Sequence, residues 1–214
     1  MKHLKTFEFW ISETIARTDS KLEDIKRCKT LSDEEFLEIL KKNCKNFSLS
    51  NDELWRNKVK GGDLELFTPN YRRADPLAFP KFFNRIENDE NYPVVRKKSL
   101  IGGTKSDIVK KLVGADNYLV IPFDNSEIVF CPVVDLWAMD DERGKSSELV
   151  NKEPVSDKNF IKVSYTKHFT IPEKELGRIH TKRSNSSVGY EFFTSSPCLL
   201  VHESKLNWLR NNIK

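Results

Sequence analysis

Apolar residues follow a helical period in two stretches near the start of the chain, and they alternate over short runs almost everywhere after residue 50. In the first stretch Phe7, Trp10, Ile11 and Ile15 mark one helical face. In the second, LSDEEFLEILKKNC, the stripe is Phe36, Ile39, Leu40 and Cys44. Ser32 and Glu35 stand at capping-box spacing, and Leu31 and Phe36 occupy the hydrophobic-staple positions around that start. Asp33 and Glu34 sit at the positive end of the helix dipole, with Lys41 and Lys42 near the negative end. These signals predict a helical segment over 1–50.

From about Asn51 the pattern shortens to strands broken by turns. LWR is followed by Gly61-Gly62, then LELF, then the loop TPNYRRADP. Asp75 before Pro76 can start a short helix there, and Pro80 places a further helix over KFFNRIEN. Thr104 is placed to cap KSDIVKKLV, with Ile108, Val109, Leu112 and Val113 facing inward and Gly114 as its stop. NYLVIPF and EIVFCPVV flank DNS and read as a β-hairpin.

The segment 140–158 is polar and reads as a surface loop. FIKVSY, HFTI, YEFF and CLLV then read as strands, and Ser204 is placed to cap the closing helix SKLNWLRNNIK. No solenoid-type repeat is present. This order predicts an α+β fold, a helical N-terminal part packed on a mixed or antiparallel β core over 51–139, with 159–214 completing the same domain.

Composition narrows the function classes. The chain has 214 residues, of which 38% are hydrophobic, enough for one ordinary core. Charged residues make up 32%, yet the net charge is only +4, so local basic patches matter more than the whole-molecule field. No apolar run approaches the roughly 18 residues of a spanning helix, and MKHLKTFEFW lacks a signal-peptide core, so a cytoplasmic protein without membrane contact is expected. Cys28, Cys44, Cys131 and Cys198 are scattered, with neither zinc-ligand spacing nor a disulfide framework, and no metal is expected. Walker-type loops, the Rossmann fingerprint, HExxH and the nucleophile elbow are all absent from the sequence.

The candidate chemistry centres on RKKSLIGGT. Ser99 and Thr104 bracket Gly102-Gly103 between a strand and a predicted helix start, where backbone amides and the helix dipole suit an anionic group. A plain strand-to-helix turn is the alternative. Arg56 ends the strand LWR, and Asp135 follows the later strands in VVDLW.

An arginine, a hydroxyl-bearing turn and a carboxylate in that order resemble the ADP-ribosyltransferase superfamily, where an arginine on the first core strand, a Ser-Thr-Ser turn and a late glutamate line one NAD cleft. The stretch from Leu54 to Trp137 also resembles small tailed-phage proteins. The resemblance implies an ADP-ribosyltransferase-like core and NAD as substrate, in a protein placed in the host cytoplasm. Arg56 would contact the diphosphate or ribose, Ser99 the nicotinamide-ribose pocket, Thr104 would match the turn hydroxyls and Asp135 the late carboxylate. An arginine fork suits phosphate, and a carboxylate suits the cationic centre formed as nicotinamide leaves. The chain departs from the pattern at Ser-Leu-Ile-Gly-Gly-Thr and in its lone Asp135, while Glu173 and Glu175 in PEKELG supply a Glu-x-Glu at a later position.

Two other readings stand beside this one. Tyr71, Arg72 and Arg73, with Arg96, Lys97 and Lys98, form a basic set for NAD phosphates, for nucleic acid or for an acidic host-protein partner, with a solvated surface cluster as the alternative. His168/Thr170 and His202/Ser204 make two His-x-Thr/Ser tripeptides of the kind that two-histidine phosphoesterases use. His180 reads as part of a basic loop.

Overall fold

The structure, a computed structural model, describes residues 27–58, 61–68, 99–105, 116–130, 160–176 and 189–213. The capping box at Ser32 closes as its spacing requires. Ser32 Oγ accepts the Glu35 amide at 3.2 Å and Glu35 Oε2 accepts the Ser32 amide at 2.9 Å, which starts helix α1 (Asp33–Asn43). Leu31, Phe36, Leu40 and Cys44 are all buried on its apolar stripe.

Short alternating runs become strands. They are β1 (Cys28–Thr30), β2 (Leu54–Lys58), β3 (Leu64–Phe67), β4 (Leu100–Gly103), β5 (Asp116–Pro122), β6 (Glu127–Phe130), β7 (Ile161–Ser164), β8 (Glu191–Thr194) and β9 (Cys198–His202). Among the described residues these form one 9-stranded sheet in the order β1-β3-β9-β5-β2-β4-β8-β6-β7. Every neighbouring pair is antiparallel. The remaining helices among the described residues are the short α2 (Glu173–Leu176) and α3 (Leu206–Asn212), the latter entered through a 3₁₀ turn over Glu203–Lys205.

Both faces of the middle of this sheet are covered, which explains the unbroken apolar run CLLV. Cys198 and Leu200 of β9 join a first core with Leu54, Val120, Phe130 and Phe192. Leu199 and Val201, pointing the other way, join a second core with Trp55, Leu119 and Ile121 under α1 and α3. The two helices meet through Phe36 and Trp208, edge to face at 5.8 Å. At the far edge the chain after β7 returns to the start of β2: the Asp52 amide donates to Phe169 O at 3.2 Å and the Ile171 amide to Asp52 Oδ2 at 2.7 Å.

The architecture is therefore α+β and dominated by an antiparallel sheet, with four departures from the sequence reading. Residues 28–30 are an edge strand rather than helix, paired to β3 through Lys29 and Leu66. β5 and β6 are separated by a tight turn with Asn125 at φ 61°, but they are not partners, because β9 and β2 flank β5 while β8 and β7 flank β6. HFTI is irregular rather than a strand, although Phe169 is buried and Ile171 packs against the first core while His168 and Thr170 are exposed. Ser204 does not cap the last helix: it lies inside the 3₁₀ turn, which His202 caps by accepting the Ser204 amide on Nδ1 at 3.2 Å, and α3 itself, with Lys205 at its N-cap, has no side-chain cap.

The amphipathic stretch at Phe7–Ile15, the helices after Asp75 and Pro80, the segment SDIVKKLV after Lys105 and the loop 140–158 lie outside the described residues. No helix among the described residues is long and apolar enough to cross a membrane.

Candidate functional site

Alternation along β2 decides where its arginine goes. Leu54 belongs to the first core and Trp55 to the second, so Arg56 returns to the face of Leu54 and is buried there. Its Nη1 donates to Ile101 O on β4 at 2.7 Å. A second buried arginine, which the sequence reading did not single out, grips the same strand: Arg27 Nη2 donates to Ser99 O at 3.1 Å while its guanidinium lies 4.5 Å from the centre of the Phe67 ring. The signal for Arg27 is tertiary, because nothing in the sequence around it marks a buried cation.

The Gly102-Gly103 pair is not the free turn its sequence suggests. Both glycines are in β4, where Gly102 opposes Phe192 and Gly103 opposes Glu191, so their peptide groups serve the sheet rather than an anion. A side chain at Gly102 would run into Trp55 O and would sit 2.5 Å from Phe192 Cε1, and that close approach is what the glycine permits. Ser99 and Thr104 consequently stand at opposite ends of β4. Ser99 Oγ is 2.9 Å from Ser195 Oγ. Thr104 Oγ1 accepts the Tyr190 amide at 2.8 Å, which leaves its own proton to donate.

Thr104 opens onto an open cavity of 1090 Å³. Its walls include Trp55 and Lys105 on the sheet side and Thr170, Glu173 and Glu175 on the other, while Arg56 and Ser99 are not part of the wall. The Glu-x-Glu of PEKELG thus faces the same space as Thr104. It does so from a helical turn, where positions i and i+2 diverge by about 200°, rather than from a strand that would align them.

A carboxylate that the sequence reading passed over lies in the sheet itself. Trp55 opposes Gly103, and Gly103 opposes Glu191, so Trp55 and Glu191 share one face with a residue lacking a side chain between them. Glu191 is partly exposed at the start of β8. YEFF reads as an ordinary strand, and only the register across β2, β4 and β8 brings its glutamate beside the cavity-lining Trp55.

The histidine pairs are not brought together. His202 is buried at the end of β9, across from Tyr118, with its ring edge to face with that tyrosine at 5.1 Å. Because an amide donates to Nδ1, the neutral ring carries its proton on Nε2, which faces Asp116 Oδ1 at 3.4 Å. Ser204 Oγ lies 2.7 Å from Nδ1. His168 precedes Phe169, which is bonded to Asp52 ahead of β2, whereas His202 is level with Arg56 in the middle of that strand and two strands away from it.

Burial, followed by the nearby Asp124 charge, pushes the Cys44 thiol up to about 12, so it is an inert core thiol. Cys44 and Cys198 are free thiols, and no metal-holding group of side chains occurs among the described residues. Asp135, Arg96, Arg72, Arg73, Tyr71, Lys97, Lys98 and His180 lie outside the described residues. No family model, no curated protein and no solved structure matches the chain.

Proposed function

We propose that the protein is an ADP-ribosyltransferase-like enzyme of host cytoplasm that transfers ADP-ribose from NAD to a macromolecule, on a core of that superfamily's type. The observation that carries this reading is the side-by-side arrangement of β2, β4 and β8. It sets the strand of Arg56 against the strand bounded by Ser99 and Thr104, and sets that strand against one bearing a late glutamate, Glu191. The superfamily pattern calls for those three residue types to line one cleft, whereas Arg56 is buried on the face opposite Trp55 and Glu191, so the strand order alone supports the reading.

The chemistry is substitution at the anomeric carbon of the nicotinamide ribose. The C–N bond to nicotinamide breaks, a cationic oxocarbenium-like centre develops, and an acceptor nucleophile supplies the new bond as it loses its proton. A carboxylate beside that carbon stabilises the developing charge, and Glu191 or Asp135 is assigned this role. Thr104, with a proton to donate, suits a ribose oxygen. The diphosphate is assigned to the basic side chains Arg72, Arg73, Arg96, Lys97 and Lys98, with Tyr71 as an aromatic ring available to stack on a base.

The test is transfer of label from adenine-labelled NAD to macromolecules of a bacterial lysate, with wild type compared to Glu191→Gln and Asp135→Ala. Label that disappears in either variant, with the unfolding midpoint unchanged, supports the reading and identifies the carboxylate. Absence of both label and NAD binding overturns it. A non-catalytic protein holding nucleic acid through the basic set would then remain, marked by an affinity that falls steeply with salt.

A further inference from the structure

Ser204, His202 and Asp116 form a cluster that ADP-ribosyl transfer does not use. Ser204 stands in the 3₁₀ turn, His202 ends β9, and Asp116 begins β5 two residues before the Tyr118 that pairs with His202. The histidine is buried and its ring is held edge to face on Tyr118, whereas Ser204 is exposed. Solvent therefore reaches the hydroxyl while the imidazole beneath it keeps one orientation.

The direction of the hydroxyl contact follows from the amide beside it. Nδ1 accepts the Ser204 amide at 3.2 Å, so it bears a lone pair, and Ser204 Oγ at 2.7 Å donates to it. A cap needs the amide contact alone. It gives no reason for a hydroxyl held closer than the amide, nor for carboxylates on both sides of the ring. Asp116 Oδ1 stands 3.4 Å from Nε2, and Asp63 Oδ1 stands 3.8 Å from Nδ1. Nε2 makes no hydrogen bond among the described residues, and the Asp116 side chain, 39% exposed, has room to close on it. Such contacts are often long before a substrate is bound. A hydroxyl that donates to an imidazole flanked by a carboxylate is the arrangement of an activated serine, which geometry defines and sequence position does not.

We infer that Ser204 is a nucleophile, with His202 as its general base and Asp116 as the residue that positions the ring, and that it accepts acyl groups from uncharged or cationic activated esters. Ser204 Oγ bonds to the ester carbonyl carbon as its proton passes to His202 Nδ1. The C–O bond to the alcohol then breaks, and the alcohol leaves with that proton. Water attacks the acyl carbon in turn, giving its proton to Nδ1, and the acid departs as Ser204 Oγ takes the proton back. Asp116 and Asp63 face the positive charge that the ring gains in each half, and the same two carboxylates disfavour an anionic ester.

The experiment treats the full chain with a rhodamine-tagged fluorophosphonate and locates the adduct by peptide mass spectrometry. The Oγ–P bond forms as the P–F bond breaks, fluoride leaves and the proton goes to His202. Ser204 is expected to carry the adduct and Ser204→Ala to lose it. Asp116→Asn is expected to slow labelling at least about tenfold with an unchanged unfolding midpoint, which an aspartate with a purely structural role would not do. Hydrolysis of 4-nitrophenyl acetate is expected to exceed that of the anionic 4-acetoxy-3-nitrobenzoate, each relative to its rate in buffer, with the gap narrowing as salt is added. No adduct on Ser204, or labelling at the wild-type rate in Asp116→Asn, overturns the inference. Labelling of Ser204 without ester turnover defeats the acyl-transfer claim, and faster turnover of the anionic ester defeats the substrate class.

Discussion

Gly102 shows how one atom fixes the relation between three strands. With no side chain it lets Trp55 O and the Phe192 ring approach from either side of β4. In Gly102→Ala the new methyl meets backbone on one side and a buried ring on the other, so β2 or β8 must shift. The expected loss of stability is about 1–3 kcal/mol, measured by urea unfolding. Glu191 is legible only at this scale: its letter sits in an unremarkable strand, and its interest comes from facing Trp55 across a glycine. Arg27 is similar, because a buried guanidinium over Phe67 is a product of folding rather than of local spacing.

Among the elements, α1 was the most legible because its signals are local. The cap, the staple and the stripe all lie within Leu31–Cys44 and agree with one another. Ser32→Ala removes the acceptor for the Glu35 amide and is expected to lower stability by about 1 kcal/mol, seen as a lower urea midpoint at constant slope. The existence of β5 and β6 was equally legible from their apolar runs, but their partners were not. A turn predicts that the chain reverses direction there. It does not predict that β9, from the far end of the sequence, takes the edge of β5 on which a hairpin partner was expected. The Glu-x-Glu pair illustrates the same limit, since its spacing has opposite meanings on a strand and on the helical turn it occupies.

At the scale of the whole molecule, burial keeps Cys44, Tyr165 and Cys198 neutral, which gives the protein a defined response to alkali. Burial pushes Cys44 from 9.0 to about 12 and Tyr165 from 10.0 to about 12, and raises Cys198 well above 9.0. These groups lose their protons earlier in the unfolded chain than in the folded one. Stability is thus full below about 9, where both states are protonated, and falls as pH rises toward about 12. Fluorescence-monitored urea unfolding between pH 8 and 11 is expected to show a falling midpoint. Thiol reagents should label Cys44 and Cys198 at neutral pH only in denaturant, and rapid labelling of native protein would contradict their burial.

By itself the sequence determined the α+β class, the start and face of α1, the run of strands after Asn51 and an unbroken apolar β9, because each depends on neighbours a few residues away. It also supplied the residue types of the candidate chemistry: an arginine on an early strand, hydroxyls around a glycine pair and late carboxylates. Only the tertiary structure decided which of these meet. The order β2-β4-β8 pairs residues far apart in the chain, converts the glycine pair from turn to strand, separates Ser99 from Thr104, and brings Thr104 to a cavity with Glu173 and Glu175. Strand pairing depends on which edges remain open after the rest of the sheet has formed, and local pattern carries no record of that.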